Sequence, residues 1–348
     1  MTRCIALALA LAVASCSVLP SPKPAAADFN QALAPVFELD MPSALARLAT
    51  LPERALTAQH LAVRACMQDR FGSGEAGAAP LTSLADKVLA AYRRYWTASL
   101  LRQQPPEKAE SILLAELDRL SGAATSSNLD TQHDATDRVA RLLEAQGFFV
   151  LGGVTPPLRE LMLWRQQTST PTSVDLPEGP VQIKVTMLDD FQSLGWAAWA
   201  TCDRSHTGGW VTPQGMMVVR AAWDLGSEAY RVSLLAHEAQ HFSDIRRYPR
   251  LASADLEYRA KLVELALSLE TQATLMQSFV VQARRDKSLP HAFASYWLVE
   301  RLQSRLGHLA WTQQPQSAFR QAALAELAAH SRLLDDQGPE MAITALPD

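Results

Sequence analysis

Apolar side chains recur at three- and four-residue spacing through the first half of the chain, the period of helices with one buried face. The pattern predicts helices over 41–49, 54–71, 81–102, 107–120 and 135–146. Gly72-Ser73-Gly74, Pro105-Pro106 and a polar run over 121–131 separate them. Residues 30–64 are Ala-rich in the manner of a helical-repeat hairpin. No fixed period accompanies them, so an irregular helical layer is the reading. The helical pattern runs on to about Gln167.

The pattern then changes. Residues 168–180 are rich in Thr, Ser and Pro and set a boundary, giving a helical region over 28–170 and a second region over 171–348. Residues 181–188 (VQIKVTML) alternate as a strand does. Short strands are expected over 196–202 and 210–211, and a buried one over 215–221 (GMMVVRA). Helical spacing returns over 227–246, 254–284, 292–306 and 318–334, with Pro249 ending the first and Pro290 starting the third. The expected fold is α+β and mostly α-helical. A small antiparallel sheet packs on the 227–246 helix, beside an N-terminal helical region.

The 348 residues suffice for one large domain or two ordinary ones. Apolar residues make up 48% and charged residues 20%, a balance that supports a packed core. Net charge is −4 with no basic patch, so nucleic acid is excluded as a partner. The N-terminus reads as an export signal. Arg3 precedes an apolar stretch over 5–13 that is too short to span a bilayer. Val13-Ala14-Ser15-Cys16 follows and resembles the lipobox of bacterial lipoproteins. That resemblance implies removal of 1–15, acylation of Cys16 and a tether over 16–27. The protein would then be lipid-anchored in the cell envelope facing the periplasm, with Ser17 favouring the outer membrane. Ala25-Ala26-Ala27 is a second-ranked cleavage site. Cys4 leaves with the signal and Cys16 carries lipid, which leaves Cys66 and Cys202. A disulfide and two buried free thiols are both compatible with that pair.

The chemistry is concentrated in His237-Glu238-Ala239-Gln240-His241. Four-residue spacing on a helix puts His237 and His241 on one face, where both imidazoles can reach one metal. Glu238 projects beside them as a candidate base for a metal-activated water. Two histidines on a solvated helix face would be the bland reading, but the run lies within a strongly apolar helix and follows a small sheet.

HEAQH resembles the zinc helix of HExxH metallopeptidases. In the gluzincin branch of that family, a Glu on the following helix is the third ligand. The resemblance implies zinc bound by His237, His241 and Glu257, with Glu238 as catalytic base. Glu257 stands in an E-Y-R-A setting similar to the E-x-x-A context of several gluzincins, although Lys261 follows where an acidic residue is commoner. Glu264 shares that helix face as the alternative ligand, and whichever Glu is not a ligand can pair with Lys261. Asp244, one turn past His241 on the same face, is open as a ligand but is expected rather to support a zinc histidine or to face solvent. Residues 207–211 (TGGWV) offer an edge strand for a substrate backbone or simply a turn. Candidate oxyanion helpers are His206, Tyr230, Tyr258 and His291, each with an ordinary packing or surface role as the alternative, while His60, His133, His308 and His330 read as bland. The implied activity is zinc-dependent hydrolysis of peptide bonds in a peptide or protein substrate. The alternatives are a catalytically inactive envelope scaffold lipoprotein and a zinc hydrolase acting on cell-wall peptides.

Overall fold

A computed structural model describes residues 24–72, 81–122, 131–307 and 314–339. The lipobox, Cys16 and the tether up to Lys23 lie outside the described residues, as does His308. The fold is α+β and mostly helical, with N-terminal helices and a mixed five-stranded sheet. Among the described residues, no helix is long and apolar enough to cross a membrane. By contacts the chain divides into two compact units. One gathers residues within Pro22–Gln166 and Leu188–His206, the other those within Gln167–Met187 and Thr207–Asp348.

The first unit holds α1 (Pro24–Leu33), α2 (Met41–Thr50), α3 (Ala58–Gly72), α4 (Leu84–Leu100), α5 (Pro106–Leu120) and α6 (Thr131–Glu144). Local sequence explains several of their starts. Asp40 caps α2 by accepting the Ser43 N–H at 3.0 Å, and Ser83 and Asp86 form a reciprocal capping box on α4. The spacing-based helices therefore recur here with shifted ends. The core is built from Phe29, Met41, Leu48, Met67, Tyr92, Trp96, Leu113 and Leu117, all buried. Cys66 and Cys202 form a disulfide, which settles the two readings left open for that pair.

Two expectations fail over 149–200. Residues 149–167 are not helical. They form β1 (Phe149–Thr155) and the start of β2 (Leu158–Leu176), paired antiparallel with Thr155 opposite Leu158 across Pro156-Pro157. Leu158, Leu161 and Met162 have helical spacing, yet Leu161, Met162, Leu163 and Trp164 are all buried. A strand covered on both faces has no alternation to read. The Thr/Ser-rich stretch is strand as well: β2 continues through it and returns as β3 (Gly179–Leu194). The second correction concerns the expected strand over 196–202, which is the short helix α7 (Trp196–Ala200). Its backbone start is held by the buried Glu160 carboxylate, which accepts the Trp196 N–H at 2.9 Å.

The second unit carries β4 (Gly209–Thr212) and β5 (Gly215–Val219), paired antiparallel. The order across the sheet is β1-β2-β3-β5-β4, so β4 is an edge strand. Helix α8 (His237–Arg247) touches β4 and β5. It packs on α9 (Ser253–Leu267), around which also lie α10 (Gln272–Gln282), α11 (Pro290–Leu306) and α12 (Gln316–Gln337). Met216, Val218, Leu234, Ala236, Ala239, Leu262 and Leu298 share one core.

The helix expected over 254–284 is two helices. Glu228 causes the break: its carboxylate accepts the backbone N–H groups of Leu269, Glu270 and Thr271 and the Thr271 hydroxyl. It therefore caps α10 from a distant part of the chain, doing the work of a local N-cap. No Gly or Pro marks the site, so helical spacing runs through it unbroken.

Candidate metal centre

The helix that carries the histidines is irregular before it reaches them. Tyr230–Ala236 is a π-helix that leads directly into α8. The His237 N–H reaches back five residues to the Val232 carbonyl. One extra residue per turn rotates everything downstream about the helix axis by roughly 100°. Val232, Leu234 and Ala236 thereby stay in the core while His237 and His241 turn towards α9. Gly209 permits the approach of this stretch to β4: a Cβ there would meet Leu234 Cδ1 at 3.2 Å and the Met217 carbonyl at 2.6 Å. Gly208 is tight against the Trp223 ring, whose Nε1 donates to the Gly208 carbonyl at 2.9 Å. The two glycines thus accommodate the protein's own packing.

Helix α9 supplies the opposite wall. Every residue from Ala254 to Ala266 is buried, although five of them are charged. A helix buried on all sides presents no apolar face to a sequence pattern. Each charged side chain has a counterpart. Asp255 lies 3.4 Å from His330 Nε2. Lys261 lies over the Phe279 ring at 4.6 Å, so the expected Lys261–Glu pairing is replaced by a cation–π contact. Arg259 joins Asp244, Glu178 and Ser331.

The remaining two, Glu257 and Glu264, meet the histidines. Glu257 Oε1 lies 3.2 Å from His241 Nε2, and its Oε2 lies 3.6 Å from His237 Nε2. One ligand atom from each of His237, His241 and Glu257 falls within 4.8 Å of the others, and all three residues are buried. The imidazole rings stand perpendicular with centroids 4.6 Å apart. Glu264 takes the other side of His237, with Oε1 2.7 Å from Nδ1. The two glutamates are therefore not interchangeable. Glu257 faces both Nε2 atoms, and Glu264 orients His237 from behind. Sequence spacing had placed both on one face without distinguishing these jobs.

Glu238 is wholly buried, and neither of its oxygens has a hydrogen-bond partner. His237 Nε2, both ring nitrogens of His241 and Glu257 Oε2 are equally without one. Buried polar groups are seldom left like this, and their convergence is what a cation site requires. Burial pushes the Glu238 carboxyl above its ordinary value, against the pull of His241 and His237. His237 is pushed up to about 10: burial opposes the charge, but Glu264 and Glu257 outweigh it. Glu257 is held well below the ordinary range because His241, His237 and His291 overcome the cost of burial. A metal would replace the His237 proton, since imidazole ligates in its neutral form.

Of the four candidate helpers, His291 reaches the cluster. Its Nδ1 lies 2.8 Å from Glu257 Oε2, without the alignment of a hydrogen bond, and its ring is 41% exposed. Tyr258 points elsewhere and donates to Glu326 at 2.8 Å. Tyr230 packs against Trp223, and His206 belongs to the first unit. Asp244 supports no histidine: its Oδ2 accepts from Arg259 Nε at 2.9 Å, one turn beyond the cluster. His60 stacks on Phe29 as an ordinary core histidine. Compared with known proteins, the chain matches no protein-family model, no curated protein and no solved structure.

Proposed function

We propose that the chain is a zinc-dependent hydrolase that cleaves peptide bonds, with His237, His241 and Glu257 as metal ligands. The observation that carries this reading is the convergence of buried, hydrogen-bond-free nitrogens and oxygens around one point, with Glu238 beside them. A zinc ion held there would lower the pKa of a water to about 7 and polarise the carbonyl under attack.

The chain's own groups do the rest. Glu264 accepts the Nδ1–H of His237, which fixes the tautomer and leaves Nε2 free to ligate. Glu238 takes the proton from the attacking water and delivers it to the leaving amine. His291 stands at the exposed rim as a donor for the developing oxyanion. Export and acylation at Cys16, supported by the lipobox-like sequence, would place this site at the envelope membrane surface.

Elemental analysis of the wild-type chain should find one zinc, lost in His237→Ala and His241→Ala. Glu238→Gln should keep the metal and lose about 10²–10⁴ in the rate of cleavage of a peptide-library substrate. A wild-type chain without zinc, or full activity in Glu238→Gln, refutes the mechanism. Stoichiometric zinc with no cleavage of library or cell-wall peptides would favour the inactive-scaffold alternative, and cleavage of cell-wall peptides alone would identify the other.

A further inference from the structure

The first unit contains a polar cavity of about 230 Å³, lined by α3, α4, the end of β3 and α7. Two arginines enter it. Arg70 Cζ lies 3.8 Å from the centroid of the Trp199 ring and Arg93 Cζ lies 4.7 Å from the same ring. Arg70 also donates to the Trp199 carbonyl. Arg93 makes no hydrogen bond and no ion pair among the described residues, so all five of its N–H donors are unused by the protein. Asp203 is the one carboxylate in the lining. It acts on both arginines through space, as do Asp86 on Arg93 and Asp69 on Arg70 from outside the lining. Burial disfavours the charge on each arginine, and Arg93 adds to the penalty on Arg70. Stacking on one indole gives Arg93 no hydrogen-bond acceptor.

The arrangement is fixed covalently. Cys66 and Arg70 lie four residues apart on α3 and so share a face. Cys202 follows Trp199 by one turn and precedes Asp203. The Cys66–Cys202 bond therefore ties the arginine's helix to the segment that carries the indole and the carboxylate.

We propose that this cavity binds a monocarboxylate group on a short apolar stem. The unused guanidinium fork of Arg93 matches a carboxylate in two parallel hydrogen bonds. Trp96, Phe191 and Ala198 supply an apolar wall for the stem. The volume lies below the roughly 300–1,000 Å³ of sites that enclose whole drug-sized molecules, so the occupant is a terminal group or a very small acid. A free acid and a peptide C-terminus share this chemistry.

Calorimetric titration of the full chain separates the sources. Propionate represents the free acid and N-acetylalanine the peptide terminus, while N-acetylalanine amide and inorganic phosphate serve as controls. One or both carboxylates should bind, and the amide and phosphate should bind at least tenfold more weakly. Arg93→Gln should weaken carboxylate binding by about 10- to 100-fold, the worth of a charge-assisted hydrogen bond. Arg93→Lys keeps the charge but loses the fork, so it should fall between. Unshifted thermal unfolding of the Lys variant checks that the cavity is intact. The proposal is overturned if neither carboxylate binds, if the amide or phosphate binds equally well, or if both Arg93 variants bind like wild type.

Discussion

Arg259 offers the sharpest test of how the two helices of the candidate centre are held together. It is wholly buried on α9, and each guanidinium nitrogen is committed. Nε bonds Asp244 of α8 at 2.9 Å, Nη1 bonds Ser331 of α12 at 2.8 Å, and Nη2 bonds Glu178 at the β2–β3 turn. Asp244 is three residues beyond His241 and Arg259 two beyond Glu257, so this link sets the α8–α9 spacing one turn from the cluster. Arg259→Met keeps the bulk and removes the charge. Glu178 retains 28% exposure and can be rehydrated, whereas the Asp244 side chain, at 2%, cannot. An uncompensated buried carboxylate costs about 3–5 kcal/mol, so the variant should lose that much stability. Asp244→Asn leaves Arg259 paired with Glu178 and should cost only about 1–2 kcal/mol. The double variant Arg259→Met/Asp244→Asn removes both charges and should recover most of the loss. Denaturant unfolding of all four chains completes a double-mutant cycle, and chelator competition reports zinc affinity, which should fall in Arg259→Met. A loss below about 1 kcal/mol in Arg259→Met, or a double variant as unstable as the sum of the singles, would refute the argument that a stranded Asp244 charge dominates.

Three further outcomes follow from the same geometry. Glu264→Gln should weaken zinc binding by about 10- to 100-fold in chelator competition, because it no longer anchors His237 Nδ1 with a charge. Opening the Cys66–Cys202 bond, which spans 136 residues, should destabilise the first unit by up to about 5 kcal/mol in the chain-entropy model, read as the shift in denaturant midpoint between Cys66→Ser/Cys202→Ser and wild type. Glu160 is pushed up to about 7 by burial, against hydrogen bonds from Trp196 and Leu161, while its unfolded value is 4.5. Between those values the folded chain keeps the proton and the unfolded chain sheds it. Stability should therefore fall by up to roughly 3 kcal/mol as pH rises through that window, and Glu160→Gln should flatten the slope in unfolding measured from pH 4.5 to 7.

Local physics made part of this protein legible in its sequence. Two histidines four residues apart on a helix must share a face, so His237 and His241 were bound to stand together wherever the helix packed. The amphipathic N-terminal helices were legible for the same reason, because a buried stripe and a cap such as Ser83 or Asp40 act within a few residues. Everything that depended on distant partners waited for the tertiary structure. The choice between Glu257 and Glu264 turned on which carboxylate faces Nε2 and which faces Nδ1, a matter of helix crossing that spacing along α9 does not encode. His291 joined the cluster from α11, and Glu228 broke a helix it does not belong to. Strand β3 was legible over 181–188 by its alternation, but β2 was not, because its buried part does not alternate and its exposed part is rich in Thr and Ser. Helix α9 shows the reason most plainly. Its five charged residues are polar by themselves and signal a solvated surface, but counterparts brought in by other elements let all of them be buried at once. A residue's environment is a property of what surrounds it, and only the folded chain assembles those surroundings.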